Sequence, residues 1–296
     1  MPSGELTKRV AVAGVGIPAA VLVVYLGGWV MGVVLAAIAA LGAREVYGLA
    51  AKRGATAFSI PGAVLAATFV TAVTAFPGAS VGGLLWTLTV GAALALSILA
   101  IWLRGVEGAP LLSVAVTLFG ALLVGGSLAH AMMLRNLAGG STLAPGWAGA
   151  ALVAFPITLA WIGDTCAYFG GRAWGRHKLI PRISPGKTVE GALAAVAGTV
   201  IIGAVYGWAI FETWQGIPIG PIAGGLTGLL VSPIAQVGDL VESLFKREAG
   251  VKDSGQLLPG HGGVLDRFDS LFFAIPATYW FLAAGLPLWV EELPWR

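Results

Sequence analysis

The sequence predicts an all-α, polytopic integral membrane protein, a helical bundle with about nine transmembrane helices. Of its 296 residues, 57% are apolar and only 10% are charged, against roughly 25% charged residues in a soluble domain. The mean hydropathy is +0.89. Uncharged stretches of about 17 to 24 residues recur along the chain, and each is long enough to cross a hydrocarbon layer of roughly 30 Å as a helix.

Nine apolar stretches are the candidate spans, and in chain order they cover residues 10–26, 28–42, 60–76, 82–103, 110–133, 147–169, 190–211, 217–238 and 270–290. The first two belong to one uncharged run. A turn at "LGGW", residues 26–29, would divide that run into two short spans, whereas an unbroken helix would be too long. A cleaved signal peptide is not expected, because the first apolar run is too long for one and further spans follow.

The basic residues divide unequally between the two sides of the membrane that these spans define. Fifteen of the 17 lysines and arginines fall on the side of the amino terminus, and only Arg135 and Arg296 fall on the other. Cytoplasmic loops carry the excess of basic residues in membrane proteins. The amino terminus and the two large late loops are therefore predicted to be cytoplasmic, in the cell inner membrane. Merging the first two spans would move Lys8 and Arg9 to the opposite side, which supports the turn at Gly27.

The two halves of the chain differ in their acidic residues. Residues 1–146 contain no aspartate, and the five aspartates of residues 147–296 are Asp164, Asp239, Asp253, Asp266 and Asp269. Closely spaced glycine and alanine in the first half suit tight helix packing in a membrane. Residues 1–146 are therefore predicted to be a transmembrane scaffold. Residues 147–296 are predicted to be the catalytic region, with cytoplasmic loops at 170–190 and 239–269.

Four of these aspartates are candidates for a metal site. Asp164 and Asp239 each lie near the end of an apolar span, where an ionised carboxylate is costly and should have a wet cavity and a cationic partner. Asp266 and Asp269 share a face if a helix begins there, although Asp269 or Ser270 could instead cap that helix. With a single cysteine and few histidines, carboxylates favour magnesium, which binds one or two carboxylates together with substrate phosphates.

Basic side chains and glycines near the aspartates favour a substrate that carries phosphate. "SPGKT" at 184–188 and "PGHGG" at 259–263 would let the backbone approach a phosphate and adopt positive φ. Neither stretch is a P-loop. His261 could bind phosphate, act as a general acid or base, or hydrogen-bond within its own turn. The alternative is that the basic residues only set topology and contact anionic lipid.

The run "SLFKREAGVKDSGQLLPGHGGVLDRFD", from Ser243 to Asp269, resembles the signature of the phosphatidate cytidylyltransferase (CDP-diacylglycerol synthase) family. The matching positions are Ser243, Lys246, Arg247, Lys252, Asp253, His261, Gly262, Gly263, Asp266, Arg267 and Asp269. Upstream, "GDTCAYFGGRAWGRHKL" followed by "SPGKTVEG" is similar to the same family. The resemblance is specific over residues 161–270 and elsewhere rests on the many apolar spans.

The resemblance implies transfer of CMP from CTP to phosphatidic acid, with release of pyrophosphate, in a magnesium-dependent reaction at the cytoplasmic membrane face. As metal ligands it implies Asp239 and Asp266, with Asp164 and Asp269 as further candidates. The residues that would take part in catalysis are Lys252, Asp253, His261 and Arg267. Those that would bind substrate are Ser184, Lys187, Thr188, Glu190, Ser243, Lys246, Arg247, Gly262 and Gly263.

Three other functions stay open from the sequence, and the least expected is a non-enzymatic lipid-binding scaffold, since surface charge would serve it without paired aspartates. A CTP-dependent polyprenol kinase would transfer a different phosphoryl group and release CDP. An ion-coupled transporter would use intramembrane carboxylates, but the carboxylates here lie at loop junctions on one side and no inverted repeat is evident. The expected partners are CTP, phosphatidic acid and membrane lipid, with no nucleic acid. Helix faces rich in small residues make a homodimer a further expectation.

Overall fold

The apolar stretches of the sequence form helices close to their predicted positions. The computed structural model describes residues 3–77, 81–137, 146–255 and 262–285. Its first helices are α1 (Ser3–Leu26), α2 (Gly28–Ala51), α3 (Ser59–Ala75), α4 (Val81–Leu103), α5 (Pro110–Ala121) and α6 (Ser127–Asn136), with a π-helical turn at Leu122–Gly126. The remaining elements are α7 (Trp147–Trp174), β1 (Lys178–Ile180), β2 (Ser184–Thr188), α8 (Val189–Tyr206), α9 (Pro221–Glu248), α10 (Leu265–Phe268) and α11 (Leu271–Trp280), and π-helical segments follow α8 and α11.

Six helical segments in the described part of the chain are long and apolar enough to cross a membrane, namely Gly28–Ala51, Gly82–Leu103, Pro110–Asn136, Trp147–Trp174, Val189–Trp214 and Pro221–Glu248. Three shorter apolar helices are Gly16–Leu26, Ser59–Ala75 and Leu271–Ala284. The predicted class, an all-α polytopic membrane protein, is confirmed. The count of nine spans stays a prediction, and the last predicted span, 270–290, extends beyond the described residues.

The turn predicted at "LGGW" is present. Helix α1 ends at Leu26 and α2 begins at Gly28. Gly27 and Gly28 have φ of 60° and 46°, a left-handed conformation that glycine adopts without the steric cost of a Cβ atom. The long uncharged run is therefore two helices, as its length predicts.

The chain divides into two compact units that do not follow chain order. Among the described residues, the first unit contains 3–77, 81–132, 245–255 and 262–267, and the second contains 133–137, 146–244 and 268–285. The division of function at residue 146, into a scaffold and a catalytic region, stays a prediction.

Each unit has its own core. In the first, the Tyr47 hydroxyl on α2 donates a hydrogen bond of 2.8 Å to the carbonyl oxygen of Thr117 on α5. In the second, Phe155 of α7 packs against Tyr206 and Phe211, with ring centroids 4.9 and 5.0 Å away. Aromatic pairs at such distances stabilise a core beyond the area that they bury.

A short β-hairpin was not predicted from the sequence. Strands β1 and β2 are antiparallel, and Lys178 pairs with Thr188 while Ile180 pairs with Ser184. The segment "SPGKT" is therefore strand β2, and Gly186 within it does not have the positive φ that a phosphate-binding turn predicts. Thr188 then caps α8, because its side-chain oxygen accepts a hydrogen bond of 3.1 Å from the Gly191 amide.

Candidate active site

In the second unit, an ion pair joins the hairpin to α9. Lys187 Nζ on β2 lies 2.6 Å from Asp239 Oδ2, and the two side chains are 26% and 28% exposed. The Ser243 hydroxyl, one turn further along α9, donates to Asp239 Oδ1 at 3.3 Å. Asp239 therefore has the cationic partner that its position near the end of an apolar span requires.

This ion pair lies in the wall of a cavity of about 680 Å³. Helices α7, α8 and α9 and both strands of the hairpin line it. Its polar side chains are Asp164, Tyr168 and Arg172 of α7, Lys187 and Thr188 of β2, and Gln236 and Asp239 of α9. The volume is within the usual range for small-molecule sites. The cavity thus brings two of the predicted acidic residues together with two basic ones, a donor set that suits a phosphate-bearing ligand.

Asp269, also in the second unit, lies between α10 and α11. The Ser270 amide donates to its Oδ1 at 2.6 Å. Burial, and after it the negative charges of Asp239 and Asp164, raise the pKa of Asp269 to about 6. Two expectations are corrected. Asp266 and Asp269 do not share a helix face, because α10 ends at Phe268. Ser270 occupies the N-cap position of α11, but its side chain makes no capping hydrogen bond.

In the first unit, Asp266 is held by four hydrogen bonds. Its Oδ1 accepts from Lys246 Nζ at 2.7 Å, and these side chains are only 14% (Lys246) and 11% (Asp266) exposed. Its Oδ2 accepts from the Ser254 amide at 2.9 Å, the Ser254 hydroxyl at 3.0 Å and the Gly263 amide at 2.9 Å. Burial alone would raise the pKa of Asp266, but the bonds from Lys246, Gly263 and Ser254 outweigh it and lower the pKa to about 2.

Gly262 shows why a glycine is needed next to the Asp266 carboxylate. Its φ of 81° is in the left-handed region. A Cβ atom there would lie 2.8 Å from Asp266 Oδ2. The positive φ predicted for "PGHGG" is therefore observed at Gly262, where the backbone makes room for the carboxylate.

Asp266, Lys246 and Ser254 form a polar cluster in the first unit. Glu45 of α2 belongs to this cluster through Ser254, and it was not predicted from the sequence. Its Oε1 accepts from the Val264 amide at 2.9 Å, and its Oε2 accepts from the Leu265 amide at 2.9 Å and the Ser254 hydroxyl at 3.0 Å. The signal that could have found it is a carboxylate in the last two turns of an apolar helix. The same rule selected Asp164 and Asp239.

The other predicted residues have different environments. Glu190 closes the base of the hairpin, because it accepts from the Arg176 amide at 3.0 Å and from His177 Nδ1 at 2.6 Å. Ser184 is half-buried at the start of β2. Exposed side chains belong to Arg247, Lys252, Asp253 and Arg267. His261 lies outside the described residues.

The two carboxylates that line the cavity suit magnesium bound together with substrate phosphates. Within the described ranges, no group of three or more histidine, cysteine or acidic side chains is close enough to hold a metal ion. Magnesium usually binds through one or two carboxylates plus phosphate oxygens and water. Asp164 and Asp239, which line one cavity, match that smaller requirement.

A polytopic membrane protein with paired acidic and basic residues beside its apolar helices fits the class of enzymes that act on phosphate-bearing lipids. The sequence model of the cytidylyltransferase family matches residues 7–284, so the chain belongs to this family. The predicted family resemblance is confirmed.

Similarity to individual proteins supports the same assignment. The phosphatidate cytidylyltransferase of Synechocystis sp. is 33% identical over 301 residues, which cover 95% of this chain and 98% of that protein. The phosphatidate cytidylyltransferase of Bacillus subtilis is 46% identical over 135 residues, or 46% of this chain and 48% of that protein. That of Haemophilus influenzae is 42% identical over 138 residues, or 45% of this chain and 46% of that protein.

Proposed function

We propose that this protein transfers CMP from CTP to phosphatidic acid and so forms CDP-diacylglycerol and pyrophosphate. The observation that carries the proposal is the similarity to a phosphatidate cytidylyltransferase along 95% of the chain. The acidic and basic residues found within each unit support it, since both reactants carry phosphate groups.

In the proposed reaction, a phosphate oxygen of phosphatidic acid attacks the α-phosphorus of CTP. The bond between the α-phosphorus and the bridging oxygen to the β-phosphate breaks, and pyrophosphate leaves with that oxygen. Both reactants are anionic, so their mutual repulsion opposes the attack. Fixed positive charges that face the phosphates lower this barrier because they stabilise the charge that develops in the transition state.

The cavity of the second unit is the proposed site for magnesium and nucleotide phosphate. Lys187 and Arg172 would contact phosphate oxygens, and Asp239 and Asp164 would hold magnesium, with Asp269 as a further candidate ligand. Bound magnesium would neutralise charge on the phosphate oxygens. Lys187 Nζ lies 2.6 Å from Asp239 Oδ2, so a magnesium ion at this oxygen would compete with Lys187.

In the first unit, Lys246 is the proposed phosphate ligand, together with the exposed Arg247, Lys252 and Arg267. Asp266 holds the Lys246 ammonium in place through Oδ1. Asp266 also stays a candidate magnesium ligand, although a metal ion at Oδ1 would compete with Lys246. Asp253 and His261 keep their proposed catalytic roles.

We further propose that the amino terminus and both polar clusters lie on the cytoplasmic side of the cell inner membrane. The support is the distribution of basic residues. A homodimer is the proposed assembly, and no nucleic-acid partner is expected.

The test is transfer of radiolabelled CMP from CTP to phosphatidic acid by purified protein in detergent micelles. We expect labelled CDP-diacylglycerol and an equal amount of pyrophosphate with magnesium, and neither product after chelation with EDTA. Asp239→Asn should abolish the transfer. Glu107→Gln, which neutralises an exposed carboxylate, is the matched control and should keep it.

Two outcomes would overturn the proposal. If a polyprenol is phosphorylated and CDP accumulates instead, the protein is a CTP-dependent kinase. If folded protein labels no lipid at all under any of these conditions, a cytidylyltransferase function is wrong.

A further inference from the structure

The polar cluster of the first unit contains a carboxylate from a distant part of the sequence. The Glu45 carboxylate accepts a hydrogen bond from the amide of Val264, which is 219 residues away in the sequence. It also accepts hydrogen bonds from the Leu265 amide and the Ser254 hydroxyl. Three bonds from one side chain thus tie α2 to Ser254, Val264 and Leu265.

The two amides bound by Glu45 have few other ways to be satisfied. They precede or begin α10, and the first amides of a helix have no partner within the helix. Val264 and Leu265 are 5% and 3% exposed, so water cannot easily take the place of the carboxylate. Because α10 has only four residues, it is too short to be stable by itself. Its start therefore depends on an acceptor supplied from outside.

Ser254 connects Glu45 to Asp266. Its hydroxyl oxygen lies 3.0 Å from Glu45 Oε2 and 3.0 Å from Asp266 Oδ2. A hydroxyl group has a single proton to donate, so the two carboxylates share this donor. Asp266 in turn holds Lys246 at 2.7 Å. A continuous path of hydrogen bonds therefore runs from Glu45 through Ser254 and Asp266 to Lys246.

Two glycines, Gly255 and Gly263, pack closely against the Glu45 carboxylate. A Cβ atom at Gly255 would lie 2.6 Å from Glu45 Oε1, and one at Gly263 would lie at the same distance from that atom. Real Cβ atoms do not approach an oxygen so closely. Both positions therefore need glycine if the carboxylate is to keep its three hydrogen bonds.

We propose that Glu45 is a positioning residue for the reaction: it fixes Ser254, Val264 and Leu265 so that Asp266 and Lys246 are held in their working geometry. The catalytic part of this inference rests on the proposed cytidylyltransferase function. Glu45 suits the role because both of its oxygens accept, each from a different amide. Glutamine would turn its side-chain NH2 group, a donor, toward one of these donors. Aspartate is one methylene shorter and would not reach both amides.

The test compares Glu45→Gln with wild type in hydrogen–deuterium exchange and in steady-state kinetics. Peptides that cover residues 262–268 should exchange faster in Glu45→Gln, while peptides from α7 and α8 should be unchanged. For CMP transfer, kcat should fall roughly 10- to 100-fold, the effect expected for loss of a hydrogen bond to a charged group. KM for CTP and for phosphatidic acid should change less than about threefold, because Glu45 contacts neither substrate in the proposal and a loss of transition-state alignment alone lowers kcat.

Two further variants sharpen the test. Glu107→Gln makes the same substitution at an exposed site of the same unit and should change neither exchange nor kcat. Ser254→Ala should lower kcat, and the double variant Glu45→Gln/Ser254→Ala should lose less than the product of the two single losses, since both act on one path. If Glu45→Gln does not fold, Ser254→Ala with the same readouts tests the path.

The outcomes separate this inference from the proposed function. Unchanged exchange at 262–268 overturns the positioning role whatever the activity. Faster exchange with unchanged kcat overturns its link to the reaction. Faster exchange in Glu45→Gln, in a protein whose wild type makes no CDP-lipid, supports the positioning of the segment and refutes the cytidylyltransferase function instead.

Discussion

Replacing Lys246 by methionine should destabilise the protein strongly, because it leaves Asp266 as a nearly buried carboxylate without its cation. The two side chains are only 14% and 11% exposed, so water screens the pair poorly. Removing one partner of a buried ion pair costs about 3–5 kcal/mol. Asp266 keeps three hydrogen bonds, from Ser254 and Gly263, so we expect the lower end, about 3 kcal/mol of unfolding free energy.

The assay is thermal unfolding in detergent micelles of wild type, Lys246→Met, Asp266→Asn and the double variant. With about 2–4 °C per kcal/mol, as in soluble domains of similar size, Lys246→Met should lower the midpoint by roughly 6–12 °C. The double variant has no unpaired charge and should be more stable than the two single losses predict together. Lys178→Met, at an exposed lysine of β1, is the control and should stay within about 2 °C of wild type.

The reasoning fails if the stability losses of the two single variants add up in the double variant, or if Lys246→Met unfolds at the same temperature as the wild type. Either result would mean that water reaches the pair and that Asp266 does not depend on Lys246. The structural basis for treating this cluster as pre-organised would then be lost.

Three further predictions follow from local contacts. Gly224→Ala should destabilise the protein by about 1–3 kcal/mol in thermal unfolding, because its Cβ would overlap a backbone carbonyl oxygen of α8; the neighbouring Gly225→Ala meets nothing closer than 3.5 Å and should be tolerated. Thr188→Val removes the cap of α8 and should cost about 1 kcal/mol, whereas Thr188→Ser should retain stability; equal melting of the two would refute the capping role. Lys187→Met should raise KM for CTP more than Lys178→Met does, since only Lys187 lines the cavity; equal KM values would argue against Lys187 as a phosphate ligand.

The sequence predicts the positions of the apolar helices well because a single physical requirement decides them. A segment that crosses a membrane must be uncharged and long enough, and both properties are local. The turn at Gly27 follows from length and charge distribution, and the positive φ of Gly27 and Gly28 agrees. The hairpin is different, because it depends on contacts such as that between Glu190 and the amides of Arg176 and His177. The sequence of the two strands has no alternation of polar and apolar residues that would predict the hairpin.

The candidate site was predicted in its residue types but not in its pairings. Lys187 and Asp239 are 52 residues apart, and nothing in the sequence assigns one to the other. Glu45 was missed because the first half was judged by its lack of aspartate, although a glutamate near the end of an apolar helix is costly for the same reason. The rule that selected Asp164 and Asp239 selects Glu45 as well when it is applied to both acidic residue types.

Pairing within each unit explains how so apolar a chain carries this much polarity. An uncompensated carboxylate beside membrane-spanning helices would be strongly unfavourable. Asp239 is neutralised by Lys187 in the second unit, and Asp266 is neutralised by Lys246 in the first. Glu45 meets amides rather than a cation, so its charge is stabilised by backbone groups that would otherwise be unsatisfied at the start of α10. The folding of that segment and the solvation of Glu45 therefore depend on each other, and a neutral residue at position 45 would weaken both.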